Sequence, residues 1–191
     1  YAYNNEMPYP SQNIKKAKKL LSGLGFNKNN PFSFELLTNT GNQTRINAAE
    51  ILQYQLEKVG VKMNIRVMEW QAFLNTVVHP RKFEAVLLGW GLALVPDAKS
   101  IWHSKEDKKG GFNLVGYKNK KVDNLIEEGE TTIDREKLSV IYQDIFKEIA
   151  NDNPYLFLYI PNSITAINAK IKNIEPTFIG VMHNQKDWIK P

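Results

Sequence analysis

A chain of 191 residues with 42% apolar and 24% charged side chains has ordinary globular composition and enough length to bury one sizeable core, which excludes intrinsic disorder. Its formal charge of +5 comes without a long basic run, so no nucleic-acid partner is expected, and the lack of cysteine removes disulfides and thiol chemistry. No apolar stretch nears the ~20 residues needed to cross a bilayer.

The first ten residues, "YAYNNEMPYP", read as a linker or hinge remnant. Helical spacing of Ile14, Ala17, Leu21 and Leu24 predicts a helix over about 12–24, capped by Ser11 or Asn13 and stopped by Gly25; the lysines at 15, 16, 18 and 19 form its wet face. "PFSFELL" alternates Phe32, Phe34 and Leu36 with polar residues, as a half-buried strand does. The polar "TNTGNQ" is a strand-to-helix turn. A long helix over 42–59 follows, with Ile46, Ala49, Leu52, Leu56 and Val59 on one side and Gly60 at its end. "VKMNIRV" alternates again, with Val61, Met63, Ile65 and Val67 facing inward. A short helix then takes Trp70 to Val78, closed by Pro80.

The apolar run Ala85–Leu88 has no polar alternation, the pattern of a strand covered on both faces, and it reads as the central strand. Strand, helix, strand, helix, strand is the succession of an α/β fold: a mixed, largely parallel sheet with helices on both faces. Beyond it, "SKEDKKGGFNLVGY" reads as a loop. Lys120 to Glu128 is a helix stopped at Gly129, and Asp134 caps a long helix reaching about Ala150. "YLFLYI" is a dense strand, and "ITAIN" and "IKNIE" are shorter strands or extended segments.

Chemistry-bearing patterns are sparse. His79, His103 and His183 are far apart and make no metal spacing, so no metal or other cofactor is expected. Ser100 and Ser104 lack a hydrolase's glycine elbow, and the glycines at 89, 91, 110, 111 and 116 make no phosphate loop. Paired carboxylates near Glu127, Glu128 and Glu130 read as a solvated helix end. The unusual feature is aromatic placement. Trp70 and Trp90 each follow directly on a strand, and open α/β sheets hold ligands at the carboxyl ends of their strands. Each tryptophan either caps the sheet against a loop or lines a cleft. Gly89 and Gly91 leave the backbone beside Trp90 open to a ligand or to a neighbouring loop.

Five stretches in order, "NIKKAKKLLSGLGF", "NQTRINAAEILQYQLEKVGVKMNIRVMEWQAFL", "FEAVLLGWGLALVPDAKSIWHS", "GFNLVGYKNKKVDNLIEEG" and "IFKEIANDNPYLFLYIPNSI", resemble the carboxyl-terminal lobe of the family 5 extracellular solute-binding proteins. These are the peptide, nickel and oligosaccharide receptors of ABC importers. The resemblance implies one lobe of a type II periplasmic-binding-protein-like fold. Residues 11–178 would form the ligand-binding lobe, and 179–191 a tail returning toward an amino-terminal lobe absent from this chain. It also implies a periplasmic location or the outer face of the cytoplasmic membrane, with lipid anchoring of the intact protein as one option, and a membrane permease as partner.

The resemblance places Trp90, Gly91, Leu92, Ala93, Val95 and Asp97 in the ligand-facing segment. Peptide-binding members carry an acid where Ala93 stands, to grip the peptide's amino group, and others carry Asp-Pro-Asp where this chain has Val95, Pro96 and Asp97. These departures favour a sugar chain held by stacking and backbone contacts, or a peptide gripped mainly by the other lobe. Asp97 alternatively caps the helix after it. Asn42 and Arg45 match polar positions at the start of the family's long helix. Arg45 is either directed at a ligand carboxylate or backbone, or paired structurally; Trp70 matches an aromatic after the second strand, and its neighbour Glu69 reads as a surface partner. The resulting expectation is an oligopeptide or similar extended solute, with an oligosaccharide as the alternative. Receptor-like signalling, adhesion or chaperoning on the same fold, and plain scaffolding, are further readings. A small α/β enzyme with a Trp90 lid would need Asp97 or His103 as its base.

Overall fold

The computed structural model describes residues 11–91, 95–177 and 179–190; the expected linker 1–10, and Leu92 and Ala93 of the expected site, lie outside them. The described residues form two compact units, one of residues 11–91 and 96–154, the other of Val95 with residues from 155 onward.

The first unit is built on three parallel strands. β1 (Ser33–Asn39) lies in the middle, between β2 (Lys62–Met68) and β3 (Ala85–Val86). β1 and β2 pair along their whole lengths, from Ser33 with Lys62 to Asn39 with Met68. β3 pairs only at Leu36 with Ala85 and Leu37 with Val86, although Leu87 N–H also donates to Leu37 O at 2.9 Å. The run 85–88 is therefore an edge strand of the described sheet and β1 the central one, the reverse of the expectation. Unbroken apolarity records cover on both faces, and helices supply that cover as readily to an edge strand as to a central one. The alternation at 32–36 shows only the front of β1, whose last four residues, Leu36 to Asn39, are all buried.

Successive β1 residues point to opposite faces and start two cores. Leu36 packs with Ala49, Met63 and Leu87 beneath α2 (Gln43–Glu57), where Leu52 and Leu56 add half-buried cover. Leu37 packs with Phe73, Val77 and Val78 on the other side. These three belong to α3 (Trp70–Phe73), which continues as a π-helical turn over Leu74–Val78. Helices thus cover both faces, as expected. Glu69 is the cap of α3, its carboxylate accepting from Ala72 N–H at 2.9 Å.

α1 (Ile14–Gly23) starts at Asn13, whose side chain accepts from Lys16 N–H. It ends in a Schellman turn, with Phe26 N–H on Leu21 O, Gly25 N–H on Ser22 O and Gly25 at φ +86°. No residue of α1 is buried.

The short α4 (Lys99–Trp102) leads through a 3₁₀ turn (Ser104–Glu106) to an antiparallel pair, α5 (Lys120–Thr131) and α6 (Arg135–Asp152). Val122 and Ile126 of α5 and Ile141, Ile145 and Ile149 of α6 are buried. α5 runs past Gly129, the expected stop, because the glycine lies against α6: a Cβ there would sit 3.4 Å from Ile141 Cγ2. Asp134 caps α6 as expected, and Asn153, at φ +56°, ends it.

The second unit corrects another expectation. Residues 155–160 form no strand, nor do 164–168, and only isolated bridges, Lys172 with Ile189 and Thr177 with Gly180, occur beyond. A strand exists only where a neighbour takes its N–H and C=O groups in a ladder, and among the described residues no strand or bridge includes 155–160. Leu156, Phe157 and Ile160 stay exposed, Ile160 at 92%. A 3₁₀ stretch (Met182–Asp187) is organised by the buried Asn184, which donates to Asn173 O at 2.8 Å and accepts from the Trp188 indole N–H at 3.0 Å.

Candidate functional site

The carboxyl ends of all three strands converge on one side chain, Arg45. Its backbone is fixed first: Asn42 caps α2 and accepts from Arg45 N–H at 3.0 Å. The guanidinium then donates from Nη1 to Asn39 Oδ1 at 2.7 Å, at the end of β1. It stands 5.9 Å from the ring centre of Trp70, just after β2. Its Nη2 lies 3.2 Å from the place a Cβ on Gly89 would take, just after β3. This is the edge of a parallel sheet where ligands are held. Asn39 is buried, which lets its oxygen orient the cation without neutralising it. Among the described residues no carboxylate lies within ion-pair distance of Arg45.

Both tryptophans are partly exposed. Trp70 is 38% and Trp90 39% exposed. Trp90 meets Phe112 edge to face at 5.7 Å, and Gly91 has no atom within 4 Å of a notional Cβ. Phe112 comes from the polar loop after α4, where no periodicity marks an aromatic for a role. The sequence hides Asn39 in the same way, since "TNTGNQ" reads as a turn although β1 extends into it.

Two further expected positions, Val95 and Asp97, are among the described residues. Val95 is 68% exposed. Asp97 accepts from Ser100 N–H at 3.1 Å and from the Ser100 hydroxyl, which holds its carboxyl below the usual range. It therefore serves the start of α4. With Pro96, Lys99, Ile126, Glu130 and Tyr142 it also lines a cavity of about 200 Å³, at whose edge Lys99 and Glu130 pair at 2.7 Å.

His103 is 2% exposed. Its Nδ1 accepts from Lys105 N–H at 3.1 Å, which leaves the proton on Nε2, 3.3 Å from Glu127 Oε1. Glu127 is held below the usual carboxylate range by Lys105 and then by His103. The two side chains an enzyme would need as base beside Trp90 are thus engaged in local structure. Among the described residues no three His, Asp or Glu side chains gather as a metal requires, and no helix is long and apolar enough to cross a membrane.

Comparison with known proteins gives concordant results. The family model described as bacterial extracellular solute-binding proteins, family 5 Middle, matches residues 1–112. The oligopeptide-binding protein AppA of Bacillus subtilis is 34% identical over 98% of this chain, and the nickel-binding protein NikA of Staphylococcus aureus 27% identical over 94%. The chain spans 36% and 37% of the lengths of those two relatives. The solved structure of Bacillus subtilis AppA in complex with a nonapeptide superposes with a TM-score of 0.85 at 33% identity, covering all of this chain and 40% of the other.

Proposed function

The chain belongs to the bacterial extracellular solute-binding proteins of family 5, and from that premise we propose that it is the carboxyl-terminal ligand-binding lobe of an ABC importer receptor for oligopeptides or similar extended solutes. The observation that carries the reading is the convergence of three strand ends on Arg45 and Trp70 in a chain similar, over 98% of its length, to an oligopeptide-binding protein. Trp70, Trp90 and Gly91 would supply flat apolar faces and open backbone, Asn42 would hold the amino end of α2 in place, and Arg45 would supply charge. Leu92, Ala93, Val95 and Asp97 belong to the proposed ligand-facing segment on the family resemblance.

The mechanism is capture and delivery without covalent chemistry. A ligand that bridges this lobe and an amino-terminal one favours the closed arrangement by its additional contacts there, and the closed receptor docks on a membrane permease. Such a receptor would work outside the cytoplasmic membrane, in the periplasm or anchored by a lipid to the membrane's outer face. Residues 11–178 would be the lobe and 179–191 the return toward its counterpart.

A shared site predicts that the isolated chain binds poorly because part of the contact surface is missing. Titration calorimetry of this chain with a nonapeptide should show nothing tighter than about 1 mM, while the intact receptor binds at about 1 μM or better. Micromolar binding by the chain alone would show that the lobe needs no counterpart, and an intact receptor that took an oligosaccharide but no peptide would reassign the solute.

A further inference from the structure

Of the described helices of ten or more residues, α1 alone buries no residue; α2, α5 and α6 each bury at least one. Ala17 and Leu21, which share one row of α1, are half-buried. The row beside them, Lys16, Leu20 and Leu24 at four-residue spacing, faces solvent, with Leu20 60% and Leu24 74% exposed. Lys15 and Lys19 form the next row and are exposed as well. Two leucines are therefore held in water with lysines around them. Charge is concentrated in the same segment. Residues 11–34 hold five lysines, at 15, 16, 18, 19 and 28, and no acid, while the other 20 basic residues of the chain are matched by 20 acidic ones. Elsewhere Lys99, Lys105, Lys118 and Lys121 pair with carboxylates, but among the described residues none of these five does.

An apolar strip flanked by lysines complements an anionic bilayer surface. Leucines enter the boundary between headgroups and acyl chains, and lysines lay their stems along it and reach the phosphates. The strip also ends away from the candidate ligand site. Phe26, two residues beyond Leu24, meets Phe32 ring to ring at 5.1 Å, just before the amino end of β1. Arg45, bonded to Asn39, stands at the carboxyl end of that strand, about 20 Å further along it. Resting on the reading of the chain as part of a receptor at the outer face of a membrane, we propose that α1 is a docking surface for anionic phospholipid. Lys15, Lys16, Lys18 and Lys19 take the headgroup phosphates, and Leu20 and Leu24 enter beneath them. The attachment is reversible and salt-sensitive, and it leaves the carboxyl ends of the strands to the solute.

Co-sedimentation of the intact receptor, prepared without any lipid anchor, tests this with vesicles of phosphatidylcholine alone and of phosphatidylcholine with about one-third phosphatidylglycerol. At low salt the receptor should bind the anionic vesicles about a hundredfold more tightly or better, since each lysine at such a surface contributes about fivefold. Replacing Lys15, Lys16, Lys18 and Lys19 together by Gln should remove most of that preference. The same replacement at the exposed Lys58, Lys82, Lys109 and Lys120, which lowers net charge equally, should keep it. Leu20→Ala with Leu24→Ala should weaken binding to the anionic vesicles about tenfold or more. Every replaced side chain is exposed, so the melting temperature should not move. Equal binding to both vesicles, a preference that survives loss of the α1 lysines, or an equal loss in the control variant would overturn the docking surface. Leucine replacements without effect would overturn it too, by showing that α1 meets phosphate without entering a bilayer. Calorimetry with a nonapeptide on the same unmodified receptor separates the two readings: peptide binding without a lipid preference removes the docking surface alone, and absence of peptide binding removes the peptide-receptor reading on which it rests.

Discussion

Asn113 has no exposed surface and gives its whole amide to the backbone around it. It donates to His103 O at 3.3 Å and to Tyr117 O at 2.8 Å, and accepts from Tyr117 N–H at 2.9 Å. It thereby ties α4's end to the loop that carries Phe112 to Trp90. Asn113→Ala would leave buried polar groups unpaired and should lower stability by about 2–4 kcal/mol, read as a lower urea midpoint at unchanged slope. A loss below about 0.5 kcal/mol would mean that something else orders the loop. The site itself was legible in part. Arg45 and Trp70 stand out because their types conflict with their positions, a cation in a helix's first turn and a large aromatic at a strand's end. Asn39 and Phe112 carry no such conflict, and only the folded contacts give them roles.

At the scale of elements, caps and periodicity were readable, whereas pairing order was not. Asn13, Asn42 and Asp134 cap as their residue types imply, because that interaction lies within one turn of chain. The order β2-β1-β3 depends on which strands meet, and the apolar run at 85–88 marks cover by helices instead of a central place. Gly129 shows the same limit, since it reads as a helix stop in the sequence yet lies within α5, facing the α6 surface. The distances there decide what a methyl group would do. A Cβ at 129 would meet Ile141 Cγ2 at 3.4 Å and Leu138 Cδ1 at 3.6 Å, ordinary van der Waals contact. Gly129→Ala should therefore keep most of the ~1 kcal/mol helix-propensity gain and raise the melting temperature. Gly129→Leu should instead push α5 from α6 and cost about 1–3 kcal/mol. A destabilising alanine would mean that α5 and α6 pack more tightly than these distances allow.

For the molecule as a whole, the apolar run 155–160 reads as a strand because composition cannot reveal whether a partner strand is at hand, and its residues from Leu156 to Ile160 are exposed. The charge network is a property of the whole of a different kind, since it joins distant segments and gives stability a pH dependence. Asp107 is held below the ordinary aspartate range by Lys118, at 3.0 Å, and by Arg81. Asp152 is held low by the Tyr117 hydroxyl at 2.6 Å and the Asn119 amide at 2.7 Å. Asp97 is held low by the Ser100 hydroxyl. In each case the folded chain prefers the ionised form more than the unfolded chain does. The stabilisation is present above the unfolded aspartate value of about 3.9 and is lost as pH falls through the lower folded values, because unfolding then takes up protons. The urea midpoint should therefore hold steady between about pH 7 and pH 5 and drop below about pH 4. Asp107→Asn should lower the midpoint at neutral pH, where Arg81 and Lys118 lose their anion, and should make the acid decline shallower by removing one of the protons taken up. A decline of unchanged steepness in that variant would show that Asp107 is no more acidic folded than unfolded, and that the Arg81 and Lys118 contacts do not hold its charge.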